Sequence, residues 1–187
     1  NASNYTWSKW VGDNGQDGRD GASISSNYIR YYDNPMKWPI CSIINGAWEK
    51  SYENDMLVMT CKVANNNGFY IVLADFLSNK EFQNKVMSWS LDIKSTRNNT
   101  FNAIGCESNG LTAKNVTTEW QRISHTFTNV FTKFKALVFY NAVNQWQVND
   151  KVYIKLPKIE FGDTATPPCP APEDMIPHSL TASVRSD

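Results

Sequence analysis

The feature that most narrows the fold is a strict alternation of side-chain character with a period of two. In residues 86–95, VMSWSLDIKS, Met87, Trp89, Leu91 and Ile93 fall on one side and Ser88, Ser90, Asp92 and Lys94 on the other. That period belongs to a strand with one face in a core and the other in water. Residues 118–130, TEWQRISHTFTNV, repeat it, with Ile123, His125 and Phe127 alternating with Arg122, Ser124 and Thr126. Residues 151–161, KVYIKLPKIEF, place Val152, Ile154 and Leu156 opposite Tyr153 and Lys155. Pro157 cannot donate a ladder hydrogen bond, so the pairing is expected to bulge there before Ile159 and Phe161 resume the alternation. Further strands are predicted near 24–32, 40–45, 55–64, 68–77, 101–106 and 134–142, with the second of the quoted strands spanning 117–132. Clusters such as Asn65-Asn66-Asn67-Gly68 and Ser108-Asn109-Gly110 separate them. Many short strands divided by such turns predict an all-β fold, a sandwich or a barrel rather than a βαβ arrangement. The one helix-like stretch is 77–84, LSNKEFQN, a turn or two in length.

Composition bounds the class. The chain has 187 residues, of which 13% are aromatic, including seven Trp, enough to fill a core and leave rings on the surface. Eighteen basic and eighteen acidic side chains cancel. A balanced charge argues against a nucleic-acid partner, which would need a basic surface, and against polybasic membrane attachment. No run approaches the roughly 18 apolar residues of a membrane-spanning helix, so membrane insertion is not expected. The chain begins with Asn and is expected to be a piece of a longer protein. Cys41, Cys61, Cys106 and Cys169 lack C-x-x-C spacing, which argues against structural zinc, and they are expected to be reduced thiols.

Gly12, Gly15, Gly18 and Gly21 recur every three residues, the collagen period. Four proline-free triplets are too few for a stable triple helix alone, so residues 12–23 read as a hydrophilic linker. A trimer-forming neck is the sharper alternative. Residues 24–166 then form the sandwich, and 167–187 a Pro-rich exit with a polar tail.

The closing strand and the exit segment carry a family resemblance. Lys158-Ile159-Glu160-Phe161-Gly162, Ala165-Thr166-Pro167 and Pro170-Ala171-Pro172-Glu173-Asp174 resemble the last strand and exit of a sandwich domain that recurs in tail and baseplate proteins of phages infecting Gram-positive bacteria. The order MSWSLDIKS, TEWQRISHTFT, ALVFYN and KVYIKLPKIE is similar to the same domains, over roughly 86–174, whereas 24–85 fit only in general pattern. Cys169 departs from it, standing where the family often has an aromatic. Residues 1–11, NASNYTWSKWV, resemble the strand that ends a preceding module in such proteins, ahead of a glycine repeat; a disordered leader is the alternative. Those domains are similar in turn to jelly-roll carbohydrate-binding modules, so the resemblance implies a two-sheet antiparallel jelly-roll sandwich. The resemblance implies a place in the virion, assembled in the host cytoplasm, with host cell-surface polysaccharide and other phage baseplate or tail proteins as partners. It implies no cofactor. A structural calcium, as in some jelly-roll sugar binders, is the minor alternative, though no D-x-D-x-D-G loop is present. Glu160 matches the family's fixed glutamate, and a structural role bonded to amides of the N-terminal approach is expected.

Catalytic patterns are missing: there is no G-x-S-x-G, H-E-x-x-H or Gly-Lys-Ser/Thr loop. Glu49, Glu53, Asp55 and Asp75 could supply a glycosidase pair on paper, as in almost any β domain. His125 sits on an inward face and reads as structural. A non-enzymatic role is expected, with a glycan-degrading enzyme as the weakest reading. Sugar binding has the better chemical basis, because a pyranose offers an apolar C–H face to a flat ring and hydroxyls to planar amides. Trp38, Trp48, Tyr52 and Trp146 lie in apparent loops rich in amides, and Asn141 and Asn144 flank the last of them. These six are the predicted carbohydrate contacts. Trp89 is assigned to the core and Trp120 to packing. A spacer or docking domain that touches no glycan is the contrasting reading.

Overall fold

The computed structural model describes residues 26–73, 82–107, 109–130 and 136–175. The leader, the glycine repeat, most of the helix-like stretch, Asp75 and the polar tail lie outside the described residues. Within them are ten strands: β1 Ile40–Ser42, β2 Trp48–Glu53, β3 Met56–Cys61, β4 Phe69–Val72, β5 Lys85–Ser95, β6 Asn99–Cys106, β7 Gly110–Val116, β8 Gln121–Asn129, β9 Ala136–Ala142 and β10 Lys151–Phe161. They form two five-stranded antiparallel sheets, the first in the order β1-β4-β9-β6-β7 and the second in the order β2-β3-β10-β5-β8. The protein is an all-β jelly-roll sandwich.

The alternation read from the sequence sets the core. Met87, Trp89, Leu91 and Ile93 from β5, and Val152, Ile154 and Ile159 from β10, are all buried in one cluster. The first sheet opposes them with Phe69, Ile71, Phe101, Ile104, Leu137 and Phe139. Phe69 and Phe139 are cross-strand partners with rings stacked at 4.9 Å. Trp89 reaches across the sandwich to donate its indole N–H to the Gly110 carbonyl at 2.7 Å. This contact demands glycine at 105. Gly105 has φ +126, and a Cβ there would lie 2.4 Å from the Trp89 Nε1 and 2.3 Å from the Gly110 oxygen.

Two strands depart from the sequence pattern. β2 lies where a loop was expected, and β7 where a turn led straight into the next strand. Both are edge strands of mostly half-exposed or exposed residues, so neither carries an apolar run. The β2–β3 hairpin turns at Asn54 and Asp55, both at positive φ (45° and 62°), a geometry that Asn and Asp tolerate without glycine. The strand expected near 24–32 is absent over its described part, where a turn runs through Tyr31, itself at φ 55°.

β10 breaks where Pro157 required. Its register against β5 shifts between Lys155 and Lys158, and Leu156 takes φ 49°, which removes it from the inward row expected of it. β3 pairs with β10 only as far as Ile154. The N-terminal approach takes over from there. Tyr28 donates its N–H to the Ile159 carbonyl at 2.9 Å. The buried Asn27 accepts from the Ile159 and Ile29 amides through Oδ1 and donates through Nδ2 to the Pro157 and Cys169 carbonyls, at 2.9–3.2 Å.

Lys158 and Glu160 stand opposite Ser90 and Ser88, on the face turned away from the core, yet both are fully buried. The exit segment crosses them. Lys158 Nζ lies 3.1 Å from Glu160 Oε2 and donates to the Pro167 carbonyl at 3.0 Å. Glu160 accepts the Thr166 amide at 2.8 Å and the Thr166 hydroxyl at 2.5 Å. Glu160 is therefore structural, but it holds the exit rather than the N-terminal approach, which is Asn27's task. Cys41, Cys61 and Cys106 are free thiols, and burial pushes Cys106 well above the ordinary thiol range.

Breaking a buried pair strands the surviving charge. Glu160→Ala is expected to cost about 3–5 kcal/mol, read as a lower urea midpoint. Gly105→Ala combines positive-φ strain with a clash against Trp89 and is expected to cost about 2–5 kcal/mol in the same assay.

Candidate functional site

Three of the six predicted contacts are core residues. Trp146 is completely buried, drawn inward from the β9–β10 loop by a two-way backbone bridge with Asn65 at 3.1 and 2.9 Å. Its ring packs against Phe101 at 5.5 Å and Trp48 at 5.8 Å. Trp48 is 5% exposed, belongs to β2 rather than a loop, and donates its indole N–H to the Asn67 carbonyl. Trp38 is 4% exposed and donates to the Tyr31 carbonyl at 2.8 Å. No broad ring face of these three is open for a sugar to stack on. The reason is energetic: an indole buries far more apolar area than any other side chain, and the ends of the sandwich need covering.

The other three lie apart from one another. Tyr52 is half-buried against the core on β2. Asn141 is exposed at φ 56° near the end of β9. Asn144 is exposed beside a polar hollow of about 330 Å³ lined also by Asn98, Asn99, Thr100 and Asn115. That hollow is rich in amides and holds no aromatic ring. Much of its amide capacity is already used: Thr100 donates to Asn115 Oδ1 at 2.7 Å, and Asn99 bonds the Asn144 backbone in both directions.

Aromatic rings do reach the surface elsewhere, on the outer face of the first sheet. Phe69 and Ile71 point inward from β4, so Tyr70 points out; Phe139 points inward from β9, so Tyr140 points out. The two rings meet edge to face at 6.4 Å. Around them the face is made of small or apolar residues, Ala103 opposite Tyr140 and Val138 opposite Tyr70. The Glu107 carboxylate lies close enough to oppose ionisation of both phenols. Tyr140 is pushed up to about 12, first by burial, then by Glu107 and Tyr70. Tyr70 is raised chiefly by its hydrogen bond with the Cys41 thiol, its cross-strand neighbour.

Tyr70 also lines a groove of about 580 Å³ along the edge where β1 and β2 run beside each other. Cys41, Ile43, Asn45, Trp48, Lys50 and Met59 are among its other lining residues, and Trp48, 5% exposed, offers it little of its indole. Tyrosine face and edge groove form one continuous surface through Tyr70. The signal for it was in the sequence: the same alternation that put Phe69 and Phe139 in the core puts their neighbours Tyr70 and Tyr140 outside.

No catalytic constellation stands out among the described residues. Glu49 pairs with Lys62 at 3.1 Å and Glu53 with Lys151 at 3.8 Å. His125 is half-buried beside the Trp89 ring at 6.3 Å and is pushed down by burial and then by Lys114. Among the described residues, no three His, Cys, Asp or Glu side chains gather as metal ligands.

The phenols give a spectroscopic check. Alkaline difference spectra are expected to show Tyr140 ionising near pH 12, absent in Tyr140→Phe and moved down in Glu107→Gln, where one opposing negative charge is gone. Because its folded value exceeds its unfolded one, Tyr140 adds stability that is complete below about pH 10 and lost as pH rises through about 12.

No family model matches the chain, and no curated protein matches it. Solved structures similar to it include the CBM22-1 xylan-binding domain of Paenibacillus barcinonensis Xyn10C, at 14% identity and TM-score 0.46, covering 76% of this chain and 95% of that one. The N-terminal cellulose-binding domain of Cellulomonas fimi β-1,4-glucanase C is similar at 13% identity and TM-score 0.46, covering 73% and 95%. The baseplate tripod of bacteriophage Tuc2009 is similar at 16% identity and TM-score 0.44, covering 81% and 67%. Values this low leave the ligand of this chain to be argued from its own residues.

Proposed function

We propose that the domain is a non-catalytic carbohydrate-binding module of a phage tail or baseplate protein, attaching the virion to cell-wall polysaccharide of a Gram-positive host through the outer face of its first sheet. The observation that carries this reading is the surface pair Tyr70 and Tyr140, whose rings meet edge to face and whose ionisation the Glu107 carboxylate opposes. Rings supply a flat apolar surface for a pyranose, and the carboxylate and phenol groups supply acceptors and donors for its hydroxyls. The adjoining groove gives a glycan chain a path past Asn45 and Lys50. The motif resemblance over 86–174 supports the phage setting. A shallow surface of this kind binds weakly, and several copies on one particle would raise avidity through effective concentration.

A docking role is favoured by a feature that adjoins the groove and shares Ile43 with it. Ile43, Ile44 and Val63 are 40%, 41% and 55% exposed and are brought together by the backbone bonds from Ala47 to Ile44 and from Val63 to Ala47. This apolar end of the sandwich suits contact with a neighbouring tail protein.

The test is binding of fluorescently labelled domain to host and non-host cells, with titration against purified host polysaccharide. Tyr70→Ala and Tyr140→Ala are each expected to weaken binding about tenfold, the effect of losing about 1.4 kcal/mol of stacking. A double variant that labels cells as wild type does would overturn the assignment of this face. Wild-type protein that ignores cells and glycan but forms a tight complex with a neighbouring baseplate protein would establish the docking role instead. Release of reducing ends with time would reveal an enzyme.

A further inference from the structure

The outer face of the second sheet carries its own aromatic and cationic cluster, on the opposite side of the sandwich from the tyrosine pair. Trp120 was expected to be packed away, yet it is 36% exposed just before β8. Lys94 of β5 and Tyr153 of β10 are cross-strand neighbours on this face. The Lys94 ammonium lies 5.1 Å from the Trp120 ring centre and 5.0 Å from that of Tyr153, and the Lys155 ammonium lies 4.4 Å from Trp120. Both lysines are thus held by ring faces.

Their charges are not otherwise used. The acids sharing the face are engaged elsewhere: Asp92 with Arg122 at 2.8 Å and Glu53 with Lys151 at 3.8 Å. Glu119, next to Trp120, makes no ion pair with either lysine, and among the described residues no carboxylate lies within 4.0 Å of Lys94 or Lys155. Two ammonium groups therefore converge on one indole with no ion-pair partner within 4.0 Å among the described residues. Asp92 stands opposite Lys155 in the ladder, but its carboxylate pairs with Arg122 and forms no ion pair with either lysine.

We infer that this cluster is a second glycan contact, selective for a saccharide unit that carries an anionic group. A phosphate or carboxylate would bridge the Lys94 and Lys155 ammoniums, and the sugar ring would lie against the exposed part of Trp120, with the Tyr153 phenol at its edge. The rings keep the ammoniums partly ordered and desolvated before the ligand arrives, which reduces the entropy lost on binding. The surface is open to solvent, so the ion pairing weakens with salt. This site uses none of the residues of the tyrosine face and stands or falls separately from it.

The test monitors the Trp120 indole N–H and backbone amide shifts by NMR during titration of the whole chain. The probes are trigalacturonate for carboxylate, a poly(glycerol phosphate) bearing glucose for phosphate, cellohexaose as a neutral glycan, and inorganic phosphate. Saturable shifts at Trp120, Lys94 and Lys155 with either anionic glycan support the site, and which of the two produces them identifies the anion. Raising salt from about 0.05 M to about 0.5 M is expected to weaken this binding about tenfold. The K94Q/K155Q double variant is expected to lose it by about tenfold or more, and Tyr70→Ala to leave it unchanged. These are surface side chains, so a thermal melt checks that the variants remain folded; should they not, the wild-type shift map and its salt dependence still decide. The inference is overturned if neither anionic glycan moves Trp120, if K94Q/K155Q binds as wild type, or if inorganic phosphate or cellohexaose alone reproduces the full response.

Discussion

The structure depends on what happens to the backbone at Leu156 and Pro157. A central strand would ordinarily be hydrogen-bonded along both edges for its whole length, but proline lacks the donor and Leu156 adopts a left-handed conformation. β10 therefore keeps β5 before and after the interruption on one side and surrenders β3 halfway on the other. The vacated edge is filled by the N-terminal approach through Tyr28 and Asn27, and Asn27 also grips the exit at Cys169. One bulge thus brings both ends of the folded region to the same place. Lys158 and Glu160 sit just beyond it and are covered by the exit, which is why an ion pair on the outer face of a sheet is as dry as a core residue. Such a pair contributes little net stability compared with apolar packing, but it tolerates only one path for the chain above it.

That architecture explains the distribution of aromatic side chains. The interior of the sandwich is filled in large part by indoles, with Trp38, Trp48, Trp89 and Trp146 all nearly or completely buried. Rings left at the surface are those whose chemistry suits a half-wet position: tyrosines whose hydroxyls reach water, and Trp120 under two lysines. The two outer faces consequently differ. The first presents phenols and a carboxylate, the second an indole, a phenol and two ammonium groups that form no ion pair among the described residues. The two proposed contacts, taken together, would meet one polysaccharide through neutral and anionic features at once, each weak and together selective.

Alternation along single strands was sufficient to place the interior of β5, β8 and most of β10, to assign Trp89 to the core, and to foresee the interruption at Pro157, because these are properties of one strand and its period. Fold class came from the same pattern and from the spacing of turns. What escaped was whatever depends on position within a sheet. β2 and β7 are edge strands, and an edge strand needs few apolar residues, so WEKSYE and GLTAKNV read as connecting segments. Trp146 read as a loop residue, and it is one, but a backbone bridge to Asn65 turns that loop inward. No local pattern records a partner so distant along the chain.

The sequence by itself determined that this protein is a layered β sandwich and which side chains of its central strands face inward, since an alternation of period two has only one way to bury its apolar half. Tertiary structure alone decided which aromatics are left for a ligand. Burial of a loop tryptophan, the meeting of Tyr70 with Tyr140, and the convergence of Lys94 and Lys155 on Trp120 are all set by contacts between strands far apart in the chain. Whether a ring can receive a sugar is a property of its neighbours in space, and the register and order of the strands determine those.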